Sequence, residues 1–259
     1  MSVLIVIPAR MASTRFPGKP LALIAKMPMI ERVWRIASAV KNASRVIIAT
    51  DSAGLKAAAE RFGAEVMMTS AGCRTGTDRV AEAVAALSEQ YEIIFSLQGD
   101  AVLTPPWVME SVIAEMLLHP EVQVATPAVL LEGTARSAFL AEKAKGVSTG
   151  TTVVFDQNKN ALYFSKSVIP FPRPERADYE VYRQIGLYAY RGESLKKLCM
   201  LPQGRLEMFE SLEQLRALEH GIPMRVVIVD YRGRTHGSVD RPEDLPVIEE
   251  IIKREGELL

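Results

Sequence analysis

Two loops of this sequence hold residue types with an evident chemical use. The first runs Pro8-Ala9-Arg10-Met11-Ala12-Ser13-Thr14-Arg15-Phe16-Pro17-Gly18-Lys19-Pro20. It gathers the cations Arg10, Arg15 and Lys19, the hydroxyls of Ser13 and Thr14, and several backbone N–H groups. This is the make-up of a polyphosphate cradle. Each charge-assisted hydrogen bond to phosphate contributes about 1.5–3 kcal/mol, so three in concert hold a triphosphate at micromolar strength. The Walker pattern Gly-x-x-x-x-Gly-Lys-Ser/Thr and the dinucleotide pattern Gly-x-Gly-x-x-Gly are both missing, which argues against a kinase or a dehydrogenase. The second loop, Gln98-Gly99-Asp100, ends an apolar run with a carboxylate, and another carboxylate, Asp240, sits in Gly-Ser-Val-Asp-Arg-Pro-Glu-Asp. Each aspartate reads either as a helix cap or as a metal ligand, and spacing does not decide between them. Magnesium takes one or two carboxylates and completes its shell with water and substrate phosphates, so two aspartates facing a phosphate loop make a coherent Mg2+ site.

Such loops need a scaffold, and the hydrophobic pattern supplies one. Residues 3–7 are continuously apolar and β-branched, as in a strand buried on both faces. A helical period over 28–40 precedes a strand at 45–50. A helix at 55–62, capped by Asp51 or Ser52, leads to a strand at 65–68, a helix at 77–87 and a strand at 93–97. A helix reaching about residue 118 and a strand at 122–129 continue the alternation. The pattern predicts an α/β fold with a doubly wound, mostly parallel sheet. In such sheets ligands bind past the carboxyl ends of the strands, where both loops fall. Residues 131–174 are less regular and, together with the chain up to about residue 200, read as a smaller inserted lobe within a single domain spanning 1–259. Strands are expected at 151–155, 162–164 and 183–190, an extended or looped path at 169–174, a periodic helix at 205–219, a strand at 224–230 and a closing helix at 242–254 opened by Pro242.

Composition narrows the class. In 259 residues, Lys+Arg and Asp+Glu each number 31 and hydrophobic residues make up 48%, which excludes disorder. A chain of this size buries roughly three quarters of its unfolded surface, so no disulfide or metal staple is required. A net charge of zero argues against nucleic acid as the main partner. Cys73 and Cys199 are too few for a disulfide framework and lack metal-ligand spacing, so both are expected to be inert. The opening Met-Ser-Val-Leu-Ile-Val-Ile lacks a basic leader, and nowhere do about eighteen apolar residues run together, so a cytoplasmic protein without a membrane span is expected. His119, His220 and His236 have no ligand spacing and read as surface or helix-end residues; Trp34 reads as core and Trp107 as a half-buried helix start.

Several motifs in order identify a resemblance: Ile-Pro-Ala-Arg-Met-Ala-Ser-Thr-Arg-Phe-Pro-Gly-Lys-Pro-Leu at 7–21, Ala-Thr-Asp at 49–51, Thr-Gly-Thr-Asp-Arg at 75–79 and Gln-Gly-Asp at 98–100. They are followed by Ala-Leu-Tyr-Phe-Ser at 161–165, Ile-Gly-Leu-Tyr-Ala-Tyr at 185–190, Leu-Glu-Gln-Leu-Arg at 212–216 and Val-Asp-Arg-Pro-Glu-Asp at 239–244. Together, over nearly the whole chain, they resemble the 3-deoxy-manno-octulosonate (Kdo) cytidylyltransferases, the CMP-Kdo synthetases. The resemblance implies a Rossmann-like nucleotidyltransferase. It would join CTP to a 3-deoxy-2-keto sugar acid, giving a CMP-sugar and pyrophosphate for lipopolysaccharide or a related surface glycan. Residue by residue, it implies that Arg10, Ser13, Thr14, Arg15 and Lys19 hold the triphosphate, with Arg10 and Lys19 catalytic in offsetting charge on the leaving pyrophosphate. Thr75, Gly76 and Arg79 match positions that read the nucleotide, beside Ala9 and Gln98. Asp100 and Asp240 match catalytic magnesium ligands; Tyr188 and Glu213 match contacts to the sugar acid, and Gln214 adjoins them. A homodimer formed through the smaller lobe is also implied.

The chain departs from the family at several positions, of which Lys166 and Gln184 fall near the sugar. Lys166 stands where Arg usually follows Tyr-Phe-Ser, Gln184 where His usually precedes the Ile-Gly pair, and Ala101 where Glu usually follows Gln-Gly-Asp. Gly146-Val147-Ser148-Thr149-Gly150-Thr151-Thr152 replaces an Asn-Pro-x-x-Val-Lys run. Lys does not reproduce a bidentate Arg clamp on a carboxylate, so the acceptor's orientation or identity is open. Val-Asp-Arg-Pro-Glu-Asp and Gly-Arg-Leu-Glu resemble the branch that activates 8-amino-Kdo. Two rivals stand beside it: a cytidylyltransferase for a nine-carbon sialic-type acid, and a CTP-binding homologue without transfer activity.

Overall fold

The computed structural model describes residues 2–12, 15–172 and 179–259. Val3–Pro8 (β1) is buried along its whole length. After it come a single 3-10 turn at Lys19–Leu21, a small hairpin of Leu23–Ile24 (β2) and Met27–Pro28 (β3), and the helix Met29–Ser38 (α1). The expected alternation continues as Arg45–Thr50 (β4), Ala53–Glu60 (α2), Glu65–Met68 (β5), Gly76–Ala85 (α3), Ile93–Ser96 (β6), Pro106–Leu118 (α4) and Val124–Leu130 (β7). Next are Gly133–Ala144 (α5), Thr151–Phe155 (β8), Ala161–Ser165 (β9), Tyr182–Gln184 (β10), Tyr188–Tyr190 (β11) and Gly192–Met200 (α6). Arg205–Glu210 (α7), Leu215–Glu219 (α8), Met224–Ile228 (β12) and Asp244–Glu255 (α9) complete the order. Caps fix two of the starts. The Ser52 hydroxyl accepts from Leu55 N at 3.2 Å to open α2, and Thr75 and Asp78 form a reciprocal capping box on α3.

The sheet is mixed with a parallel core. β5, β4, β1 and β6 pair in parallel in that order, and β12 runs parallel along β7. β11 lies antiparallel between β6 and β7. Side chains of β1 alternate between two apolar layers. Val3, Ile5 and Ile7 join buried residues of α1, α2, α4 and α9, while Leu4 and Val6 join those of α3, α6 and α8. Covering both faces is what makes β1 a run of apolar residues rather than an alternation.

Four local expectations are corrected. Residues 183–190 are not one strand. β10 and β11 lie end to end along β7, interrupted at 185–187, where the buried Thr126 hydroxyl reaches the carbonyl oxygens of Ile185 at 3.2 Å and Leu187 at 2.9 Å. That hydroxyl serves carbonyls the ladder has abandoned, and the break lets β11 pair with β6 while β10 pairs with β8. The periodic helix at 205–219 is two helices, parted at Ser211 in left-handed backbone (φ 52°). Arg216 folds back onto Glu207 with two hydrogen bonds, Nη2–Oε1 at 2.6 Å and Nε–Oε2 at 2.8 Å, both side chains buried. This bidentate pair clamps α7 on α8, so Leu212 and Leu215 enter the core while Phe209 stays 73% exposed. The less regular stretch after 131 contains the regular helix α5. The closing helix starts at Asp244 rather than Pro242, because the Asp244 carboxylate accepts from the N–H groups of Asp240 (2.7 Å) and Arg241 (2.8 Å) and holds that turn outside the helix. Among the described residues, no helix is long and apolar enough to cross a membrane.

Candidate active site

An open cleft lies between the loop after β1, the loop after β6 and the start of α3. Of the residues singled out for phosphate, nucleotide and metal, Ala9, Arg10, Arg15, Lys19, Thr75, Gly76, Arg79, Gln98 and Asp100 all line it. Ser13 and Thr14 lie outside the described residues. Two glycines make this arrangement possible. Gly18 has φ +72°, a conformation in which a side chain is strained, and its N–H closes the loop on Met11 O at 3.1 Å, just before Lys19. A Cβ at Gly99 would lie 3.2 Å from Pro8 O, so only glycine lets the ends of β1 and β6 approach this closely.

Asp240 is not among the residues that line the cleft, but the turn that carries it meets the loop of Asp100. Val239 N donates to Asp100 O at 3.4 Å, which brings the turn carrying Asp240 against the loop carrying Asp100. Neither carboxylate caps a helix: α4 starts at Pro106 behind Pro105 without a side-chain cap, and Asp244 holds the turn before α9. Each faces a cation of the phosphate loop instead. Lys19 Nζ is 2.5 Å from Asp100 Oδ2, and Arg15 Nη2 is 3.1 Å from Asp240 Oδ1. With the side chains of Asp100 and Asp240 27% and 39% exposed, ligand and water can reach both, and the donor set suits a hard cation with substrate oxygens in its remaining positions. Arg79 is more committed. It is buried, with Nη2 on Asp51 Oδ2 at 3.1 Å and Nη1 on the Thr69 hydroxyl, so its charge stiffens the wall of the cleft. Cys73 also lines the cleft, but burial and the bond it donates to Glu82 push its thiol up to about 11, which keeps it an unreactive thiol at neutral pH.

The residues singled out for the sugar form a second group, joined to the first through Thr75. The Thr75 hydroxyl donates to Glu213 Oε1 at 3.0 Å. Glu213 occupies the gap between α7 and α8, so the break that the sequence pattern hid is what delivers it. Burial raises its carboxyl above the usual range, against the opposing bond from Thr75. Gln184 is buried, with Nε2 within 2.9 Å of Thr126 Oγ1, 2.7 Å of Ile185 O and 3.3 Å of the Tyr188 hydroxyl. Burial raises the Tyr188 phenol well above its ordinary value. Gln214 has its Nε2 buried without a partner, a donor ready for a ligand. Lys166 holds Thr151 Oγ1 at 3.4 Å, and its backbone N–H donates to Glu210 Oε2 at 2.8 Å. Burial lowers its ammonium while Glu210 and Asp240 act the other way, so Lys166 belongs to the field of the aspartate pair.

The sequence pattern missed Lys143, Arg183, Tyr231 and His236. His119 and His220 end α4 and α8 as expected, but His236 is turned inward rather than lying on the surface: burial, with Arg183 nearby, lowers its imidazole to about 3. Its position four residues before Asp240 was the available signal.

Comparison with known proteins agrees with the fold and the motifs. A family model described as cytidylyltransferase matches residues 4–227. The chain is 51% identical over 259 residues to a 3-deoxy-manno-octulosonate cytidylyltransferase of Maricaulis maris, covering all of both chains. It is 41% identical over 251 residues to an 8-amino-3,8-dideoxy-manno-octulosonate cytidylyltransferase of Shewanella pealeana, covering 96% of this chain and 98% of the relative. Among solved structures, a CMP:2-keto-3-deoxy-manno-octonic acid synthetase complexed with CTP superposes with a TM-score of 0.88 at 34% identity, covering 98% of this chain and 100% of the other. On sequence and fold alike, the chain belongs to the cytidylyltransferase family, enzymes of the nucleotidyltransferase class.

Proposed function

We propose that this protein transfers the cytidyl group of CTP to the anomeric hydroxyl of a 3-deoxy-2-keto sugar acid, Kdo or its 8-amino analogue, releasing pyrophosphate. The observation that carries the reading is the meeting of the turns that bear Asp100 and Asp240, remote in sequence, with their carboxylates on Lys19 and Arg15 of the phosphate loop. The hydroxyl oxygen attacks the α-phosphorus in line while its proton passes to water, the bond to the bridging oxygen of the β-phosphate breaks, and the pyrophosphate leaves with that electron pair. Arg10, Arg15 and Lys19 bind the triphosphate, and Lys19 with Arg10 offsets the charge that develops on the leaving group. Thr75, Gly76 and Gln98 border the nucleotide, and Glu213, Tyr188, Gln184, Gln214 and Lys166 orient the acceptor, converting a bimolecular step into one within a complex. Asp100 and Asp240 would hold Mg2+, which when bound polarises the α-phosphate and lowers the pKa of the attacking hydroxyl.

The strands β8–β10 with α5 would act as the acceptor lobe and as the face of a homodimer. Leu162 and Phe171, 62% and 78% exposed, support an apolar contact surface there. Pyrophosphate release with CTP, Mg2+ and a panel of Kdo, 8-amino-Kdo and a nine-carbon acid tests the function. Release is expected with one of the eight-carbon acids, and Asp100→Ala or Asp240→Ala should abolish it with the fold retained. Undiminished release from either variant would refute the metal assignment, and release with the nine-carbon acid alone would move the enzyme to the rival substrate.

A further inference from the structure

Beside the aspartate loops lies a group of polar side chains that the fold leaves unsatisfied. Arg183 Nε and His236 Nδ1 are buried, and neither has a hydrogen-bond partner; the Tyr231 hydroxyl beside them is buried against Thr104. They belong together: the rings of Tyr231 and His236 meet edge to face with centroids 5.5 Å apart, and the field of Arg183 acts on both. The surrounding loops are the two that carry the aspartates, and a Cβ at Gly237 would lie 3.3 Å from the Leu103 side chain, which shows how closely those loops pack.

Arg183 projects from β10, where it is in register with Val129 and Thr152, and its guanidinium lies 5.7 Å from the centre of the Phe139 ring of α5. Among the described residues it makes no ion pair. The other charges nearby are themselves cationic. Lys143 Nζ is fastened to Gly150 O at 2.7 Å and Lys166 O at 2.6 Å, and burial together with Lys166 and Arg183 lowers its ammonium to about 8. The acid whose charge reaches Lys143 and Lys166 from this side is Glu210, already engaged by the Ser165 hydroxyl and Lys166 N. A guanidinium taken out of water without a counter-ion is costly, and a folded protein retains such a group where a ligand completes it. Arg183 as a whole is only partly buried.

We infer that Arg183, with His236 and Tyr231 beside it and Lys143 and Lys166 at its flank, receives the carboxylate of the acceptor and restricts the enzyme to sugar acids. The inference rests on the transferase reading and names the residue that recognises the acid. A guanidinium presents two parallel N–H groups to a carboxylate, a fit that Lys166 cannot supply. The other anion of the reaction, the triphosphate, has its own cations in Arg10, Arg15 and Lys19 on the nucleotide side.

The test uses the full chain. Arg183→Gln should raise KM for the sugar acid at least tenfold at saturating CTP, leave KM for CTP within twofold, and be partly rescued by Arg183→Lys. Without substrate, Arg183→Gln should melt at a higher temperature than the natural protein, because an unpaired charge largely shielded from water has gone. The methyl ester of the same sugar acid should be as poor for the natural enzyme as the acid is for Arg183→Gln, and the variant should no longer distinguish acid from ester. An unchanged sugar KM, an equal rise in the CTP KM, or a retained preference for acid over ester in Arg183→Gln overturns the assignment. The natural enzyme is the control: no pyrophosphate with any sugar acid removes the transferase reading and this site with it, whereas activity that survives Arg183→Gln unaltered removes this site alone.

Discussion

The two sides of the cleft handle charge in opposite ways. On the nucleotide side every acid meets a base: Lys19 with Asp100, Arg15 with Asp240, Arg79 with Asp51. On the acceptor side Arg183, Lys143 and Lys166 crowd together and Arg183 has no counter-ion among the described residues. In the first arrangement Lys19 and Arg15 are already paired before any ligand arrives, so for them binding triphosphate is an exchange of partners. The second is strained by its own charge, and binding an acid relieves it. A site of the first kind adds little to stability when its charges are half in water, whereas the second kind lowers stability and returns the difference as ligand affinity. The difference also matches the sequence. The phosphate loop and both aspartates match the family, with Ala101 the one departure beside them, while the departures at Lys166, Gln184 and 146–152 fall on the acceptor side.

Three changes probe this contrast. The largest effect is expected from Glu207→Ala, which turns the buried Glu207–Arg216 pair into a lone cation like Arg183 and should cost about 3–5 kcal/mol in chemical unfolding. It should also loosen Glu213, which the α7–α8 clamp positions. A loss under 1 kcal/mol would mean that unpaired burial is cheap here, and the contrast between the two sides would lose its energetic basis. Next is Lys19→Ala, expected to lower kcat/KM by about 10²–10³-fold by removing charge stabilisation of the leaving group. Its unfolding free energy should change little, since Asp100 remains partly exposed to water. A variant that instead unfolds early would show that the Lys19–Asp100 pair is structural.

The smallest effect near neutrality belongs to His236. Its folded imidazole lies at about 3 against an ordinary 6.5, so between those values the unfolded chain binds the extra proton. Its contribution to stability is complete above 6.5 and is lost as pH falls toward 3, by up to about 1.4 kcal/mol per pH unit. Unfolding midpoints measured between pH 7 and 5.5 should therefore fall less steeply in His236→Asn than in the natural protein. Equal slopes would place the ring in water and remove it from the unsatisfied cluster.

Much of the nucleotide side could be read from residue order. β1 announces itself because both of its faces are buried, and the cradle is legible because a loop between a buried strand and a helical period must lie at the strand's carboxyl end. The position of Asp100 came from the same rule; its function did not, since a cap and a ligand look alike until α4 is seen to begin without it. The acceptor side was harder. An apolar period through Leu206, Phe209, Leu212 and Leu215 is the same whether one helix or two carry it, and the break depends on Arg216 finding Glu207. Likewise, 183–190 has a strand's composition throughout, and only its rival partners β6 and β8 divide it.

Sequence alone therefore determined the parallel core, the phosphate loop and the family, because apolar period, loop chemistry and motif order are properties of neighbouring residues. Tertiary structure alone decided that the turns carrying Asp100 and Asp240 meet, that Glu213 reaches Thr75, and that Arg183 Nε and His236 Nδ1 are shut from water without partners. Whether a charge is satisfied depends on every group packed around it, and those groups come from β7, β8, β10, α5 and the turn before α9, which nothing but the folded chain brings together.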